Sequence, residues 1–442
     1  MVHDQMPAVA MKDLRTCVHC GFCLPACPTY QLYGVEMDSP RGRIMQIEAA
    51  KRGQIALDDQ SLQLHLSLCL ACRACETACP SGVPYGRMIE GARAALPSSG
   101  ALAALTKSVL LRGVFTRPLL LDLLGTGMRA YRRSGAQTLV RRIGLPGPLR
   151  EMEALMPRPQ GTVLQLHRPR RYAPAGTARL RVALVRGCAM QQLFASTNEA
   201  TARVLTENGC EVLAPVAQRC CGALHVHAGE RATAQELARR NIDAFLAVSP
   251  DAIVINAAGC GSTLKEYGDL LADDPQYAAR AQEFSSKVRD VNELLVELSF
   301  RAPTRGVARR VTYQDACHLA HAQRIREQPR AILRSIPGLE LVEMRASDNC
   351  CGSAGIYNIT QPESAMRLLD RKMDAVLATG AEILAVANPG CAIQIAAGAR
   401  MRGVPLRVYH PVDLLDRAYR AEHTAAPRRP AVSTAGNAAH GR

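Results

Sequence analysis

Two runs of four cysteines near the start of the chain share the spacing C-x2-C-x2-C-x3-C-P. They read Cys17-Val-His-Cys20-Gly-Phe-Cys23-Leu-Pro-Ala-Cys27-Pro28 and Cys69-Leu-Ala-Cys72-Arg-Ala-Cys75-Glu-Thr-Ala-Cys79-Pro80. Three thiolates separated by two residues each can ligate three irons on one face of a small cubic cluster. The fourth cysteine follows a wider gap, and the proline after it turns the chain, so that this thiol points at a second cluster. The spacing therefore predicts a pair of [4Fe–4S] clusters.

The two runs are predicted to exchange their last ligands, as this motif does in bacterial-type ferredoxins. One cluster would be held by Cys17, Cys20, Cys23 and Cys79, and the other by Cys69, Cys72, Cys75 and Cys27. Structural zinc is the alternative, because cysteine pairs of this spacing also bind zinc. A zinc site uses two well-separated pairs, however, and packed runs of four followed by proline favour iron–sulfur clusters.

Four more cysteines recur in each of two repeats in the second half of the chain. The first set is Cys188, Cys220, Cys221 and Cys260, and the second is Cys317, Cys350, Cys351 and Cys391. The matched offsets are 129, 130, 130 and 131 residues. Each central Cys-Cys-Gly presents adjacent thiols, and its glycine permits close approach of the backbone to a ligand. We expect a metal or cluster in at least one repeat, because buried structural cysteine explains single residues but not matched quartets.

Other residues near these motifs are interpreted as structural. Cys210 has no counterpart in the second repeat and is predicted to pack in the core. His225, His227, His318 and His321 lie close to the quartets, where each could ligate metal or carry a proton, but a hydrogen-bonded structural histidine is favoured for each.

Alternating strands and helices position both quartets. In each repeat one strand precedes the first cysteine, a second leads to Cys-Cys-Gly, and a third ends at the last cysteine, with helices between them. The strands are predicted at 180–185, 211–216, 252–255, 310–314, 339–344 and 383–386, and the helices at 197–207, 234–248, 327–335 and 363–379. This alternation predicts parallel sheets, whose carboxyl ends are where open α/β folds bind ligands.

The chain divides into five parts, and the predicted fold class is α+β multi-domain. A helical, bacterial-ferredoxin-like module covers 1–95, with helices from Ser39-Pro40 to Gly53 and over 61–68. We name 96–178 the linker segment, 179–304 the first repeat and 305–420 the second repeat; both repeats are α/β domains with parallel sheets. Residues 421–442 are predicted to be a disordered tail.

The linker segment is basic, and its first part, 101–127, is predicted to be one amphipathic helix. Such a helix can lie on an anionic membrane surface, or it can pack on its own domain or a partner subunit. Packing is favoured because most helical amphipathicity serves cores. The remainder, 157–178, is predicted to be a linker without periodicity.

The net charge and the distribution of apolar residues limit the partners and the location that we expect for this protein. The net charge of +15 favours an acidic partner or an anionic membrane face. Nucleic-acid binding is not expected, because no recognition helix or aromatic-interleaved basic strand is present. No apolar stretch long enough to span a membrane and no signal peptide are evident, so we predict a cytoplasmic protein with reduced thiols, peripheral on the inner face of the cell membrane where the basic helix touches it.

These motifs together resemble the iron–sulfur subunits of the heterodisulfide-reductase type, in which a two-cluster module precedes two CCG domains. Relatives include subunits of anaerobic glycerol-3-phosphate dehydrogenase, lactate utilisation proteins and glycolate oxidase. The finer resemblance is to glycolate oxidase iron–sulfur subunits. The stretches that carry it are Cys17–Cys23, Cys27-Pro-Thr-Tyr-Gln-Leu32, Pro40-Arg-Gly-Arg43, Gly259-Cys-Gly261 with Lys265-Glu-Tyr-Gly268, and Cys350-Cys-Gly-Ser-Ala-Gly355.

The resemblance implies an electron-transfer subunit of a flavin-dependent glycolate dehydrogenase. A flavin-containing partner subunit would oxidise glycolate to glyoxylate, and this chain would pass the electrons to a membrane acceptor of the quinone type. It implies two [4Fe–4S] clusters, one or two further clusters in the CCG repeats, and no glycolate site in this chain. The fuller CCG pattern has a cysteine where this chain has Ala257 and Asn388, so each repeat offers four thiols rather than five.

Residue patterns support the absence of flavin from this chain, and three alternatives stay open. No glycine-rich dinucleotide fingerprint follows a strand, and no nucleophile elbow is present. The chain could instead serve a lactate or glycerol-3-phosphate dehydrogenase. It could be a catalytic CCG subunit that reduces a disulfide, or a non-enzymatic iron–sulfur scaffold or sensor.

Overall fold

The computed structural model describes residues 4–97, 104–105, 107–144, 147–162, 170–306 and 308–425. Over these residues the chain forms the helical ferredoxin-like module, the helices of the linker segment and two α/β repeats. The predicted fold class is confirmed. No helix in this part of the chain is long and apolar enough to cross a membrane.

Short helices build the ferredoxin-like module around its two cysteine runs. The longest, Pro40–Lys51, begins where predicted, because Ser39 Oγ accepts a hydrogen bond from a backbone amide of the first turn. Asp59 caps the next helix in the same way. The helices are Met11–Leu14, Pro28–Tyr33, Pro40–Lys51, Gln60–Ser67, Ala74–Thr77 and Tyr85–Ala95, with a 3-10 turn at Glu36–Asp38.

The linker segment holds several short helices, and the prediction of one helix over 101–127 is wrong. A π-helix runs over Lys107–Val114, and a separate α-helix covers Pro118–Arg133. The chain breaks before Pro118 because proline has no amide hydrogen and disfavours helical backbone at the residue before it. The helices Ala136–Ile143 and Gly147–Ala154 follow. Residues 101–103 and 106 of the predicted helix lie outside the described residues.

The first repeat contains a five-stranded sheet in the order β1-β3-β2-β4-β5. Its strands are β1 (Arg170–Tyr172), β2 (Leu180–Leu184), β3 (Cys210–Ala214), β4 (Ala252–Ile255) and β5 (Val288–Asp290). Strands β2 to β5 are parallel, as predicted, and β1 is antiparallel to β3. The prediction that 157–178 lacks regular structure is therefore wrong at β1, whose backbone completes the hydrogen bonding of the β3 edge. The helices are Cys188–Leu193, Ala195–Glu207, Ala223–His227, Arg231–Leu246, Ala258–Lys265, Tyr267–Leu270, Ala278–Lys287 and Val291–Glu297.

The second repeat contains a four-stranded, fully parallel sheet in the order β7-β6-β8-β9. Its strands are β6 (Arg309–Gln314), β7 (Leu339–Val342), β8 (Ile383–Val386) and β9 (Arg407–Tyr409). Its α-helices are Glu327–Arg334, Tyr357–Thr360, Pro362–Leu377, Pro389–Met401 and Pro411–Ala425, and a short π-helix covers His318–Ala322. The last helix continues past 420, so the first residues of the predicted tail are helical; 426–442 lie outside the described residues.

Both repeats share one apolar core, and the ferredoxin-like module packs on both. Buried residues of both sheets, such as Val182, Val254 and Val311, belong to a single cluster. The carboxyl ends of β4 and β8 meet, since Ala258 N donates to Ala387 O at 3.0 Å. The module contacts the segments that follow the strands of both sheets, since His318 bonds Ala71 O at 2.9 Å and Arg93 donates to His227 O at 3.0 Å.

Candidate iron–sulfur centres

Each cysteine run of the ferredoxin-like module lines a cavity that also receives the last cysteine of the other run. Cys17, Cys20 and Cys23 line one cavity with Cys79, and Cys75 lies at its wall. In the other cavity, Cys27 joins the first three cysteines of the second run, Cys69, Cys72 and Cys75. The structure thus brings together the four thiols that the sequence assigns to each cluster. The proline after each fourth cysteine begins a helix or a turn that leads the chain away.

The backbone of each run coils through left-handed residues at two matched positions. They are His19 (φ 55°) and Gly21 (φ 87°) in the first run, and Ala71 (φ 50°) and Arg73 (φ 61°) in the second. Such alternation turns successive backbone amides toward one centre, which favours a bound anion. Ala71 N accordingly donates to the sulfur of Cys69 at 3.4 Å. Glycine occupies only one of the four positions, so the loops hold strained residues in place.

A buried arginine balances the thiolates of the second run. Arg43 is 1% exposed, and it donates to His65 O at 2.7 Å, Thr29 Oγ1 at 3.1 Å and Asp38 Oδ1 at 3.3 Å. Burial opposes ionisation of Cys69, but Arg43 and Arg93 outweigh it and hold the pKa of that thiol below its ordinary value. The site is therefore prepared to hold a thiolate in the protein interior.

The two cavities differ in their access to solvent. Cys20 is exposed, and its neighbours Val18 and Phe22 are 67% and 65% exposed. Cys69 and Cys72 are buried, and burial raises the pKa of Cys72 well above the ordinary thiol value. The first cavity therefore lies at the surface, and the second lies inside the molecule.

The four thiols of the first repeat form a contiguous group. Their sulfurs interact in series, Cys188 with Cys220, Cys220 with Cys221, and Cys221 with Cys260, and each interaction shifts the pKa of the thiols involved. The thiols come from the ends of β2, β3 and β4, as the parallel sheet predicts. Hydrogen bonds from Cys188 and Cys221, with His225 beside them, hold the pKa of Cys220 well below its ordinary value.

The second repeat repeats this arrangement. Cys317 interacts with Cys350, Cys350 with Cys351, and Cys351 with Cys391, and these interactions shift the pKa of the thiols involved. Gly352 takes a left-handed φ of 85°, which directs its amide toward the sulfur of Cys350 at 3.5 Å. Gly222 has the matching φ of 82° in the first repeat. The glycine of each Cys-Cys-Gly is thus required by backbone conformation.

The two positions at which the fuller CCG pattern has a further cysteine take different roles. Ala257 is fully buried among apolar residues. Asn388 donates through Nδ2 to the sulfur of Cys391 at 3.5 Å and accepts from Gly259 N at 3.1 Å. Asn388 therefore supports a thiol of its own repeat and joins the two repeats.

The buried cavity of the module lies directly against the quartet of the second repeat. Cys72 and Cys350 share one apolar cluster, and Cys317 packs against it. His318 Nε2 donates to Ala71 O at 2.9 Å, and its Nδ1 bonds Ser262 Oγ at 3.0 Å. Burial lowers the pKa of His318 to about 3, so the ring is neutral. A single hydrogen bond thus joins the residue before Cys72 to the residue after Cys317.

The other three histidines are also held by protein partners, in agreement with their structural interpretation. His225 bonds Leu111 O at 2.9 Å, His227 bonds Glu90 at 2.8 Å, and His321 bonds Thr77 at 2.9 Å. Cys210 is fully buried in the shared core, as predicted, and burial raises its pKa to about 11.

Sequence reasoning missed the ion-pair network under the second run. Arg73, which is 5% exposed, pairs with Glu90 at 3.7 Å and with Glu266 of the first repeat. The network ties the module to the first repeat across 193 positions. An alignment of the two cysteine runs could have drawn attention to Arg73, because this arginine occupies the position that Gly21 has in the first run.

The donor sets fit iron–sulfur clusters. Each site offers four cysteines. Ala71 N, Gly352 N and Asn388 Nδ2 donate to sulfurs of these sites, and all four thiols of the second cavity are buried; such donors and burial set cluster potential. Among the described residues, no group of three or more His, Cys, Asp or Glu side chains is arranged to hold a single metal ion. The individual ligand assignments stay a prediction.

Comparison with known families assigns most of the chain. Residues 13–83 match the 4Fe-4S dicluster domain, and residues 182–265 and 311–396 each match the cysteine-rich CCG domain. Residues 103–156 match the linker region of the glycolate oxidase iron-sulfur subunit. The chain therefore contains a module for two [4Fe–4S] clusters and two cysteine-rich domains, which supports several iron–sulfur clusters as its cofactors. No flavin-binding domain is among these matches.

Curated relatives cover the same length. The chain is 43% identical to a probable glycolate oxidase iron-sulfur subunit of Bacillus subtilis over 91% of this chain and 93% of the relative. It is 36% identical to the glycolate oxidase iron-sulfur subunit of Escherichia coli over 92% and 95%. Lactate utilization protein A of an Exiguobacterium species is 29% identical over 53% of this chain and 96% of the relative. Because the order of modules, the thiol sites and the linker segment all agree, the chain belongs to the family of glycolate oxidase iron–sulfur subunits.

Proposed function

We propose that this chain is the electron-transfer subunit of a flavin-dependent glycolate dehydrogenase. A flavin-containing partner subunit oxidises glycolate to glyoxylate, and this chain delivers the electrons to a quinone-type acceptor in the membrane. The chain works in the cytoplasm, peripheral to the inner face of the cell membrane. The observation that carries the proposal is the continuous series of thiol sites from a surface cavity to the interior.

Different residues serve the approach of the electron donor and the contacts between successive thiol sites. Exposed Cys20, flanked by Val18 and Phe22, provides an apolar surface at which a partner can come close to the first cavity. The apolar cluster that Cys72 and Cys350 share, with the hydrogen bond from His318 to Ala71, holds the second cavity against the second repeat. Asn388 then joins the second repeat to the first.

The chemistry of the complex balances without a catalytic residue in this chain. Oxidation of glycolate to glyoxylate releases two electrons and two protons, which the partner's flavin accepts. Iron–sulfur clusters supply one-electron transfer when bound. This chain's residues bind them, exclude water and set their potentials through cations such as Arg43 and amide donors such as Ala71.

The relatives of the chain support glycolate as the substrate of the complex. Two glycolate oxidase subunits match nearly the whole chain, and the linker segment matches a family named for that subunit. The lactate utilization relative matches only about half of it. Glycolate is therefore favoured over lactate, and the substrate site belongs to the partner.

An anaerobic pull-down of the full chain from its native cells tests the proposal. We expect bound flavin in the eluate and dye reduction driven by glycolate, more strongly than by lactate or glycerol 3-phosphate. The variants Cys17→Ser and Cys69→Ser should lose glycolate-driven reduction. Cys210→Ala, a core cysteine outside the thiol sites, is the matched control and should keep it. A flavin-free eluate that reduces disulfides would instead support the catalytic alternative.

A further inference from the structure

One surface of the molecule combines exposed apolar side chains with arginines. It is formed by residues 104–143 of the linker segment, and we call it the linker surface. Of these residues, 106 is outside the described part of the chain. Seven large apolar side chains are exposed here: Leu105 59%, Val109 50%, Leu119 59%, Leu123 59%, Leu124 44%, Leu139 59% and Ile143 75%. This concentration marks a contact surface, because scattered single exposed residues are the norm elsewhere.

The linker surface is strongly basic. Its cations are Lys107, Arg112, Arg117, Arg129, Arg132, Arg133, Arg141 and Arg142, and Asp122 is its only acid. Arg112 pairs with Glu230 of the first repeat, and Arg141 with Glu153. Among the described residues, no carboxylate lies within ion-pair distance of Arg117, Arg133 or Arg142. The surface therefore keeps uncompensated positive charge beside its leucines.

The apolar residues follow helical spacing on the outer face. Leu119 and Leu123 are one turn apart on the helix Pro118–Arg133, and Leu139 and Ile143 are one turn apart on Ala136–Ile143. Leu121 of the first helix is instead 5% exposed and points inward. Each helix thus buries one side and presents an apolar stripe to solvent.

The buried side of the linker surface covers the thiols of the first repeat. Leu121 packs against Cys188 of the first repeat, together with Val114 and Phe115 of the linker segment. The carbonyl of Leu111 accepts a hydrogen bond from His225, which lies beside Cys220. The same helices therefore contact a candidate cluster site on one side and solvent on the other.

We propose that the linker surface docks on an anionic lipid membrane and brings the first-repeat thiols beside the membrane acceptor. The proposal rests on the proposed function. Leucines that enter the lipid interface, flanked by arginines that meet anionic headgroups, are the composition of an interfacial helix. The exposed charges of this surface are all positive, because its one acid, Asp122, is buried, and anionic headgroups complement such a surface.

Vesicle sedimentation of the full, cluster-loaded chain tests the docking. We expect binding to vesicles that contain phosphatidylglycerol and weak binding to pure phosphatidylcholine. Leu119→Glu combined with Leu123→Glu should weaken the binding about tenfold or more, because two leucines no longer enter the lipid. Leu64→Glu with Met401→Glu, at residues 51% and 43% exposed outside the linker surface, is the matched control and should bind normally.

Two activity readouts separate this proposal from the proposed function. In the complex, the double variant should keep iron content and glycolate-driven reduction of a soluble dye but lose reduction of quinone in vesicles. Equal vesicle binding by the double variant and the wild type would overturn the docking proposal. So would loss of the flavin subunit from the double variant with vesicle binding intact, since the surface would then serve a protein. Absence of dye reduction in the wild type would count against the proposed function, whatever the vesicle result.

Discussion

Replacing the glycine of each Cys-Cys-Gly with alanine should destabilise the second repeat more than the first. Gly222 and Gly352 have φ values of 82° and 85°, a conformation that costs alanine about 1–2 kcal/mol. A Cβ on Gly352 would also meet Ala365 O at 2.4 Å, whereas a Cβ on Gly222 would lie 3.4 Å from Ala234 Cα. The first distance forces the backbone to move, at about 1–3 kcal/mol, and the second is ordinary contact. We therefore expect about 1–2 kcal/mol for Gly222→Ala and about 2–5 kcal/mol for Gly352→Ala.

Hydrogen–deuterium exchange measures these losses separately in each repeat. Gly222→Ala should accelerate exchange in the helix Arg231–Leu246, and Gly352→Ala in Pro362–Leu377, by about tenfold for each 1.4 kcal/mol. Gly403→Ala, with a φ of 66° and no atom near its Cβ, isolates the conformational part in the second repeat. If Gly222→Ala destabilises its repeat as much as Gly352→Ala does, the steric reasoning is refuted.

Three further predictions concern ligation, charge and pH. In electron paramagnetic resonance, Cys79→Ser should give the same spectrum as a substitution at Cys17, Cys20 or Cys23, and Cys27→Ser the same spectrum as a substitution at Cys69, Cys72 or Cys75. Iron analysis should show a loss of about four irons in each case. The opposite assignment of spectra would exclude exchange of the last ligands. Arg43→Met should cost about 3 kcal/mol in urea unfolding because its carboxylate partner stays buried, whereas Arg41→Met, at an exposed pair, should cost less than about 1 kcal/mol. Burial raises the pKa of Asp290 from 3.8 to about 6, so the folded state holds its proton more tightly and stability should fall by about 2 kcal/mol as the pH rises from 4 to 6. Asp290→Asn should remove that slope in urea midpoints measured at both pH values, and an unchanged slope would show that another group causes it.

Local signals made much of the fold predictable. The cysteine runs indicate their chemistry through spacing, because three thiols two residues apart can ligate one face of a cubic cluster. Ser39 and Pro40 mark a helix start with cap chemistry that tertiary contacts do not override. The repeats can be recognised in the sequence because buried parallel strands are continuous apolar runs. The carboxyl ends of these strands lie at one edge of the sheet, so the cysteines that follow them are predicted to lie close together.

Other features depend on contacts that local sequence does not encode. Strand β1 consists of Arg-Arg-Tyr, which carries no apolar pattern and is a strand only because the β3 edge accepts it. The break at Pro118 was a local signal that amphipathicity over 101–127 obscured. The pairing of Arg73 with Glu266, like the apolar cluster shared by Cys72 and Cys350, joins residues far apart in sequence. The relation between module and repeats therefore required the structure.

The most direct test of the electron-transfer account is anaerobic titration of the purified complex with glycolate. Visible absorbance and electron paramagnetic resonance would report the redox state of the clusters in this chain. The account predicts that glycolate reduces those clusters, and that Cys69→Ser removes part of the signal without stopping flavin reduction. Stoichiometric formation of glyoxylate and reduced flavin, with the clusters of this chain left oxidised, would contradict it.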